Sequence, residues 1–370
     1  MCETVTQHIH PSTFPRTEGI KYAGSKLRII PFIIEIADGL KGIRTVLDGF
    51  SGSTRVSQAF AQKGYDTTSS DISHWSEVFA SCYLLSKQPD SYYQEILDHL
   101  NHLEGYDGWF TEFYGATEDN RKKPFQLKNT RKLDAIRDEI DRLKLPFEDQ
   151  AVLLTSLIYA LDKVDSTLGH FVSYLSAWSA RSHNNLQLEL PQRFQAQGQN
   201  RVVRDDIFNV VGQNAYDLVY FDPPYGSNNH KMPPSRVRYA SYYHFWKTVI
   251  LNDKPELFGK SNRRTDTRDL HDPSVFEEFR KNAAGKFIAM EAIDKLIKET
   301  RAKYVLLSYS SGGRVSRQDL SDILSNSGKI LKIKDIDYRK NVMAQMRWTN
   351  EWSNKEVKHH EYLFLMEKKM

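Results

Sequence analysis

The chain of 370 residues carries 51 Lys and Arg against 47 Asp and Glu, which gives a formal net charge of +4. Hydrophobic residues make up 40% and charged residues 26% of the chain, a balance typical of a soluble globular protein. No apolar run approaches the roughly 20 residues that a membrane helix needs. The first residues lack the basic start and apolar core of a secretory signal, and two cysteines, Cys2 and Cys82, are too few for a disulfide framework.

The first strands and helices predict the beginning of a parallel sheet. Helical apolar spacing covers residues 26–40, and a short apolar strand follows at 44–47. The turn GFSGS leads into a second helix at 54–63, and another strand at 66–70 ends at Asp71. Strands that alternate with helices across short turns are typical of α/β domains.

The rest of the chain predicts an interrupted α/β domain. Helical patterns dominate residues 75–200, and strand patterns resume at 201–203, 217–221, 304–307 and 362–366. We therefore predict three parts: an N-terminal tail at 1–19, a catalytic domain made of two segments, 20–80 and 200–370, and a mainly helical insert at 81–199 between them. We interpret the His8 and His10 pair in the tail as polar surface and predict no metal site.

The sequence VLDGFSGST has the features of a ligand-binding turn. A buried strand ends at Asp48, two glycines follow, and a helix then begins with free backbone N–H groups. Asp71 stands 19 residues beyond Gly52 at the tip of the next strand, where dinucleotide-binding folds place the acid that holds a ribose. The pattern favours an adenosine-containing ligand. Because it is not the GxGxxG fingerprint, it also fits a tight turn with a surface acid.

The sequence VYFDPPY ends a buried strand with an unusually stiff group. Pro223 and Pro224 fix their φ angles and hold the Asp222 carboxylate and the Pro223 carbonyl as two acceptors, beside the flat ring of Tyr225. Two acceptors and a stacking face suit a planar ligand that carries an NH₂ group. Held in this way, the amine can attack an electrophilic carbon. The motif therefore predicts methyl transfer from S-adenosylmethionine to an exocyclic amine.

These motifs resemble the Dam-like, α-group DNA adenine methyltransferases, which include modification enzymes of restriction systems. The segment KYAGSK resembles the family's YxGSK motif and implies that Tyr22 and Lys26 contact the cofactor. DGFSGS resembles its cofactor glycine motif and implies contacts from Asp48, Phe50, Ser51 and Gly52. The resemblance also implies a Rossmann-like S-adenosylmethionine-dependent sheet with helices on both faces.

The later motifs extend the resemblance. RDDIF resembles the motif whose acid receives the adenine amine of the cofactor; we favour Asp206, while Asp205 remains an alternative. DPPY, Asp222 to Tyr225, is the family's catalytic motif. The order of motifs implies that the insert holds the target-recognition region, and the family implies an enzyme of the cytoplasm of a bacterial, archaeal or phage-infected cell.

Basic clusters predict contacts with double-stranded DNA. Residues 121–132 hold six basic residues and no acid, and 226–268 hold nine Lys and Arg against three acids. Such clusters favour a bound polyanion but also occur on solvated surfaces. The predicted DNA contacts are Arg121, Lys122, Lys123, Lys128 and Arg131 on the insert, Arg236 and Arg238 after DPPY, and Arg263 and Arg264 beyond.

Three functional alternatives remain at this stage. The main hypothesis is methylation of the 6-amino group of an adenine swung out of duplex DNA, with any cognate restriction endonuclease on a separate chain. A second is methylation of another amine, such as the cytosine 4-amino group, an RNA adenine or a protein glutamine. A third is a catalytically inactive DNA-binding subunit, which would have no need of Lys26, Asp71, Asp222 and Tyr225 together.

Overall fold

A computed structural model describes residues 14–117, 119, 123–226, 238–267, 274–337 and 360–369. Seven strands form its central sheet: β1 (Thr45–Asp48), β2 (Asp66–Asp71), β3 (Arg201–Arg204), β4 (Tyr216–Phe221), β5 (Ala302–Ser310), β6 (Gly328–Asp337) and β7 (His360–Lys368). Two small pairs of strands lie outside the sheet, Gly115–Ala116 with Phe125–Gln126 and Leu257–Phe258 with Arg263–Arg264. The α/β fold and the strands predicted from the sequence are confirmed.

The strand order of the sheet is β6-β7-β5-β4-β1-β2-β3. The pairs from β5 to β3 are all parallel, whereas β7 is antiparallel to both β5 and β6. The chain proceeds from β1 outward to β2 and β3, then crosses over to β4 on the other side of β1. In parallel sheets such a change of direction opens a crevice at the carboxyl ends of the two central strands.

Twelve α-helices are present among the described residues: α1 (Ile30–Asp38), α2 (Arg55–Gln62), α3 (His74–Leu84), α4 (Asp90–His102), α5 (Trp109–Tyr114), α6 (Leu127–Leu143), α7 (Phe147–Val164), α8 (Ile207–Val211), α9 (Tyr239–Tyr242), α10 (His244–Leu251), α11 (Ile288–Glu299) and α12 (Arg317–Ser327). Short 3₁₀ turns lie at Ala180–His183, Thr265–Thr267 and Val275–Glu277. None of these helices combines the length and the apolar character that a membrane span requires.

Alternating side chains of the strands give the sheet two buried faces. Val46 and Leu218 pack with α1 and α2 on one face, while Leu47 and Val219 pack with α8, α11 and α12 on the other. The alternation follows from the two-residue period of a strand. Helices on both faces therefore hold the carboxyl ends of β1 and β4 rigidly side by side.

A third core joins α3 to α7 with α10. Phe79 of α3, Ile136 of α6, Leu157 of α7 and Trp246 of α10 are all fully or almost fully buried in it. The helices of this layer end at Val164, and residues 165–200 contain only one short 3₁₀ turn. Because α10 comes from the far side of DPPY in the sequence, the proposed insert shares its core with the catalytic part of the chain.

Candidate active site

Several predicted residues meet in one cleft at the carboxyl ends of β1 and β4. The parallel register places Asp48, at the end of β1, beside Tyr220 of β4, so that Asp222 follows directly at the same edge. The lining of the cleft includes seven residues predicted from the sequence: Tyr22, Lys26, Asp48, Phe50, Ser51, Gly52 and Asp222. Asp71 adjoins it through a hydrogen bond of 2.9 Å from the Gly52 N–H.

Asp222 and Lys26 form a buried ion pair. The Lys26 ammonium is 2.9 Å from Asp222 Oδ1 and 4.7 Å from the centre of the Tyr225 ring. The Tyr225 hydroxyl donates to the same Asp222 oxygen. Burial raises the pKa of Asp222 above its ordinary value, Lys26 partly offsets this, and Glu361 raises it further. Burial alone would lower the pKa of Lys26, but the carboxylates of Asp222 and Glu361 raise it.

Glu361 is a site residue that the sequence analysis missed. Its Oε1 lies 2.6 Å from Ser308 Oγ, 2.5 Å from the Tyr225 hydroxyl and 3.3 Å from Lys26 Nζ, and the residue is 5% exposed. Because β7 is the antiparallel strand, its first residues lie at the edge where the parallel strands end. The only sequence signal was an acid directly before the apolar run YLFLM.

The end of β5 and the loop after it hold the backbone of the DPPY motif. The Tyr225 carbonyl accepts hydrogen bonds from the Arg314 N–H at 3.0 Å and from the Tyr309 hydroxyl at 3.3 Å. Gly226 has φ +60, and a Cβ there would lie 2.1 Å from Arg314 Cζ. A side chain at position 226 would therefore displace the guanidinium that packs against the motif.

The Gly52 turn, which we predicted to bind the cofactor, is joined to the tip of β2 by hydrogen bonds. Gly52 has φ +50, which suits glycine, and an added Cβ would approach the Tyr22 ring to 3.0 Å. Asp71 accepts the Gly52 N–H through Oδ2 and both the N–H and hydroxyl of Ser73 through Oδ1. Burial raises the pKa of Asp71, although these hydrogen bonds lower it in part. Tyr22 stacks on Tyr243 with ring centres 4.6 Å apart, so one aromatic face covers the turn.

Asp48 presents an unsatisfied oxygen in the cleft wall. The residue is 1% exposed, and Oδ2 accepts the Ser57 hydroxyl at 2.6 Å. Oδ1 has no hydrogen-bond partner among the described residues. Burial raises the pKa of Asp48 to about 7, against the Ser57 hydrogen bond and with help from the charges of Asp222 and Asp71. A buried acceptor of this kind can receive a donor from a bound ligand.

The acids of RDDIF do not line this cleft. Asp206 caps α8, accepting the Phe208 N–H at 2.9 Å, and Asp205 accepts the Asp206 N–H at 2.7 Å and the Asn209 amide at 2.9 Å. Their role in cofactor binding therefore stays a prediction. Their local hydrogen bonds already give both acids a structural role at the start of α8.

The predicted DNA contacts of the insert form hydrogen bonds with neighbouring groups of the protein. Lys128 donates to the His183 carbonyl at 2.6 Å and to Asn185 Oδ1 at 2.8 Å, and Arg131 pairs with Asp107 through two hydrogen bonds of 2.6 and 3.0 Å. Both remain exposed on α6. Lys123 is half-buried and donates to the Phe113 carbonyl.

The basic residues after DPPY divide into different environments. Arg263 lies 4.6 Å from the centre of the Phe258 ring, and Arg238 lies near the buried carboxylate of Glu277. Arg264 is 3% exposed and pairs with both Asp253 and Asp266, which gives it a structural role, and its phosphate contact stays a prediction. The predictions for Arg121, Lys122 and Arg236 lie outside the described residues.

The sequence was compared with known protein families. Residues 22–311 match the family described as D12 class N6 adenine-specific DNA methyltransferase. The chain belongs to this family. The match extends from the Tyr22 motif through DPPY to the loop after β5, so it includes the Gly52 turn and the Lys26–Asp222 ion pair described above.

Curated relatives of this D12-class chain are named as modification methylases or Type II methyltransferases. "Modification methylase StsI" of Streptococcus sanguinis is 30% identical over 368 residues, which cover 95% of this chain and 52% of the relative. "Type II methyltransferase M.FokI" of Planomicrobium okeanokoites is 24% identical over 94% of this chain and 53% of its own length. "Type II methyltransferase M.NlaIII" of Neisseria lactamica is 23% identical over 94% of this chain and 99% of its own length. The chain thus spans about half the length of the first two relatives.

The raised pKa of Asp48 predicts a pH-dependent cost in stability. The pKa of Asp48 is about 7 in the folded protein, above its ordinary value of 3.8. Asp48 therefore contributes most to stability below about pH 4, where it is protonated in both states, and this contribution is lost as the pH rises to about 7. We expect wild type to lose roughly 1–3 kcal/mol of unfolding free energy relative to Asp48→Asn between about pH 4 and about pH 8. Urea unfolding of the cofactor-free proteins measures the difference.

Asp217→Asn is the matched control for this experiment. Hydrogen bonds from Thr45 and Arg44 lower the pKa of Asp217 despite its partial burial, so its difference from wild type changes only below about pH 4. A difference between wild type and Asp48→Asn that does not change with pH would contradict the assignment for Asp48.

Proposed function

We propose that this chain transfers a methyl group from S-adenosylmethionine to the 6-amino group of a flipped adenine in duplex DNA. The observation that carries the proposal is the Lys26–Asp222–Tyr225 cluster at the change of strand direction, in a D12-class chain. The names of the curated relatives, which are modification methylases and Type II methyltransferases, support a role as a modification enzyme. In our proposal that role belongs to a restriction–modification system, with a cognate endonuclease as a separate chain.

The residues of the cleft fit S-adenosylmethionine. The orphaned Asp48 Oδ1 offers an acceptor for a cationic or N–H donor, and Asp71 stands at the tip of β2, where a ribose is held in related folds. The Tyr22 ring packs where a Cβ at position 52 would stand, so glycine keeps both the turn and this cleft wall in place. When bound, the cofactor supplies an electrophilic methyl group. In our proposal the residues that hold it are Tyr22, Lys26, Asp48, Phe50, Ser51, Gly52 and Asp71, and Asp206, which stands outside the lining of the cleft, stays a predicted contact.

Asp222 orients the attacking amine and stabilises its charge. Its carboxylate and the Pro223 carbonyl accept the two amine hydrogens and leave the nitrogen lone pair free to attack. The nitrogen becomes positive as the new bond forms, and a fixed carboxylate favours that charge. Lys26 keeps Asp222 ionised in spite of its burial. The methylated amine then loses one proton, with solvent as the final acceptor.

Tyr225 provides the surface for the flipped base. Extrusion of a base costs a few kcal/mol, and stacking on an aromatic ring returns roughly 1–3 kcal/mol. The ring is anchored at both ends, because its backbone carbonyl is held by Arg314 and its hydroxyl lies in the acidic cluster. A ring fixed in advance loses little entropy when the base stacks on it.

Asp222→Ala should abolish methyl transfer while the cofactor still binds. The variant removes one of two acceptors and the charge that faces the amine, so we expect kcat to fall by at least about a thousandfold. Transfer of tritium from labelled S-adenosylmethionine to unmethylated genomic DNA measures the rate, and calorimetry measures cofactor affinity. Near-normal turnover in this variant would overturn the mechanism.

Asp71→Ala tests the ribose assignment. Loss of charged hydrogen bonds to a ribose should weaken S-adenosylmethionine binding by about tenfold to a hundredfold. Asp71 also holds the Gly52 N–H, so Asp71→Asn is a second variant that retains one acceptor for the turn and should fall between wild type and Asp71→Ala. Unchanged affinity in both variants would remove Asp71 from the cofactor site.

The DNA surface can be tested on α6, whose two ends carry comparable arginines. Arg131 and Arg142 are both exposed and both paired with an acid, but only Arg131 belongs to the basic cluster at 121–132. If Arg131 contacts a phosphate, Arg131→Gln should weaken DNA binding by about twofold to tenfold and reduce the salt slope by about 1. Fluorescence anisotropy at several salt concentrations measures both. An equal effect of Arg142→Gln would argue against a specific DNA face there.

A further inference from the structure

The cluster around Asp222 contains more negative than positive charge. Lys26 is the one ammonium group among its described members, while Asp222 and Glu361 are both carboxylates. Lys26 and Glu361 are 7% and 5% exposed, so water screens their charges weakly. The cluster is therefore left with one net negative charge when both acids are ionised.

Glu361 is tied to every polar member of the cluster except Asp222. Ser308 is fully buried and donates its hydroxyl hydrogen to Glu361 Oε1 at 2.6 Å. The Tyr225 hydroxyl, which has only one hydrogen, lies within reach of both Glu361 and Asp222. Lys26 lies 2.9 Å from Asp222 and 3.3 Å from Glu361, so both acids pair with one ammonium group, which also donates to the Gly24 carbonyl at 3.1 Å.

These contacts give Glu361 two effects on the reaction centre. Its contacts with Lys26 and Tyr225 fix two groups that themselves contact Asp222, so it orients the catalytic acid without touching the amine. The negative charge of Glu361 also offsets the positive charge of Lys26, which would otherwise balance the negative charge of Asp222. A negative surplus beside the amine favours the positive charge that develops there during methyl transfer.

We propose that Glu361 is a positioning residue for methyl transfer, which holds Lys26 and Tyr225 about Asp222 and supplies the second negative charge of the cluster. The proposal rests on the proposed function, because it assigns a role in that reaction. It adds a carboxylate from the last strand of the sheet, outside the DPPY motif and outside the residues 22–311 of the family match.

Glu361→Gln removes the charge of this residue and keeps its shape and an acceptor oxygen. We expect kcat to fall by about tenfold to a hundredfold, with the affinity for S-adenosylmethionine changed by less than about threefold. Glu367→Gln is the matched control. It makes the same substitution on β7, six residues away or about 20 Å along the strand, and should leave the rate unchanged.

The pH dependence separates an electrostatic role from a purely structural one. The ionisable groups around Asp222 are Lys26 before α1, Asp48 on β1, Tyr220 and Tyr225 on and after β4, Tyr239 on α9, and Glu361 on β7. Glu361 is a negative neighbour that raises the pKa of Asp222. Glu361→Gln should therefore move the acidic limb of the kcat profile to lower pH, whereas a variant that merely loosens the site would lower kcat equally at every pH.

A measurement on the protein alone keeps this test independent of the substrate. Carbon-13 NMR of Asp-labelled protein, with the Asp222 resonance assigned by Asp222→Asn, gives its titration directly. We expect the Asp222 midpoint to lie above the ordinary range in wild type and to fall in Glu361→Gln. An unchanged midpoint together with unchanged kcat would overturn the proposal for Glu361, whereas a wild type that titrates as expected but methylates no DNA would overturn the proposed function instead.

Discussion

Two carboxylates and one ammonium share a buried space at the edge of the sheet, and the arrangement of this site depends on them. An unpaired charge in such a place would be strongly unfavourable, so each group needs the others close by. Lys26 comes from the segment before α1, Asp222 from the end of β4 and Glu361 from the start of β7. The strand order brings these distant parts of the chain together, and the rigid helix-covered sheet keeps them in place.

The same constraint relates stability to function. Asp48, Asp71 and Asp222 all have a raised pKa because burial disfavours their charged forms, and none of the three is fully neutralised by a cation. In our account, bound ligands provide the missing donors: a cofactor beside Asp48 and Asp71, and the target amine beside Asp222. At neutral pH these buried acids therefore lower the stability of the cofactor-free protein. In return, the acceptors of the site are already in position before a ligand binds.

The sequence predicted those parts of the site that lie next to a local pattern. β1 and β4 are mostly apolar runs, β2 is a run of buried Thr and Ser, and an acid stands at or directly after the end of each. The Gly52 turn and DPPY follow β1 and β4 directly, so strand ends and site residues could be located together. Glu361 could not be found in this way, because its place depends on β7 being the one antiparallel strand of the central sheet. β6 was missed because its residues are largely half-exposed or exposed, with charges interrupting the apolar pattern. Charge counting alone likewise failed to separate the paired, buried Arg264 from exposed Arg131.

The identity of the methylated nucleoside tests the central claim most directly. The protein would be incubated with tritiated S-adenosylmethionine and unmethylated genomic DNA, and the DNA digested to nucleosides and separated. The account predicts that the label elutes with N6-methyladenine. Label in a methylated cytosine, or no label in DNA from a protein that still binds the cofactor, would contradict it.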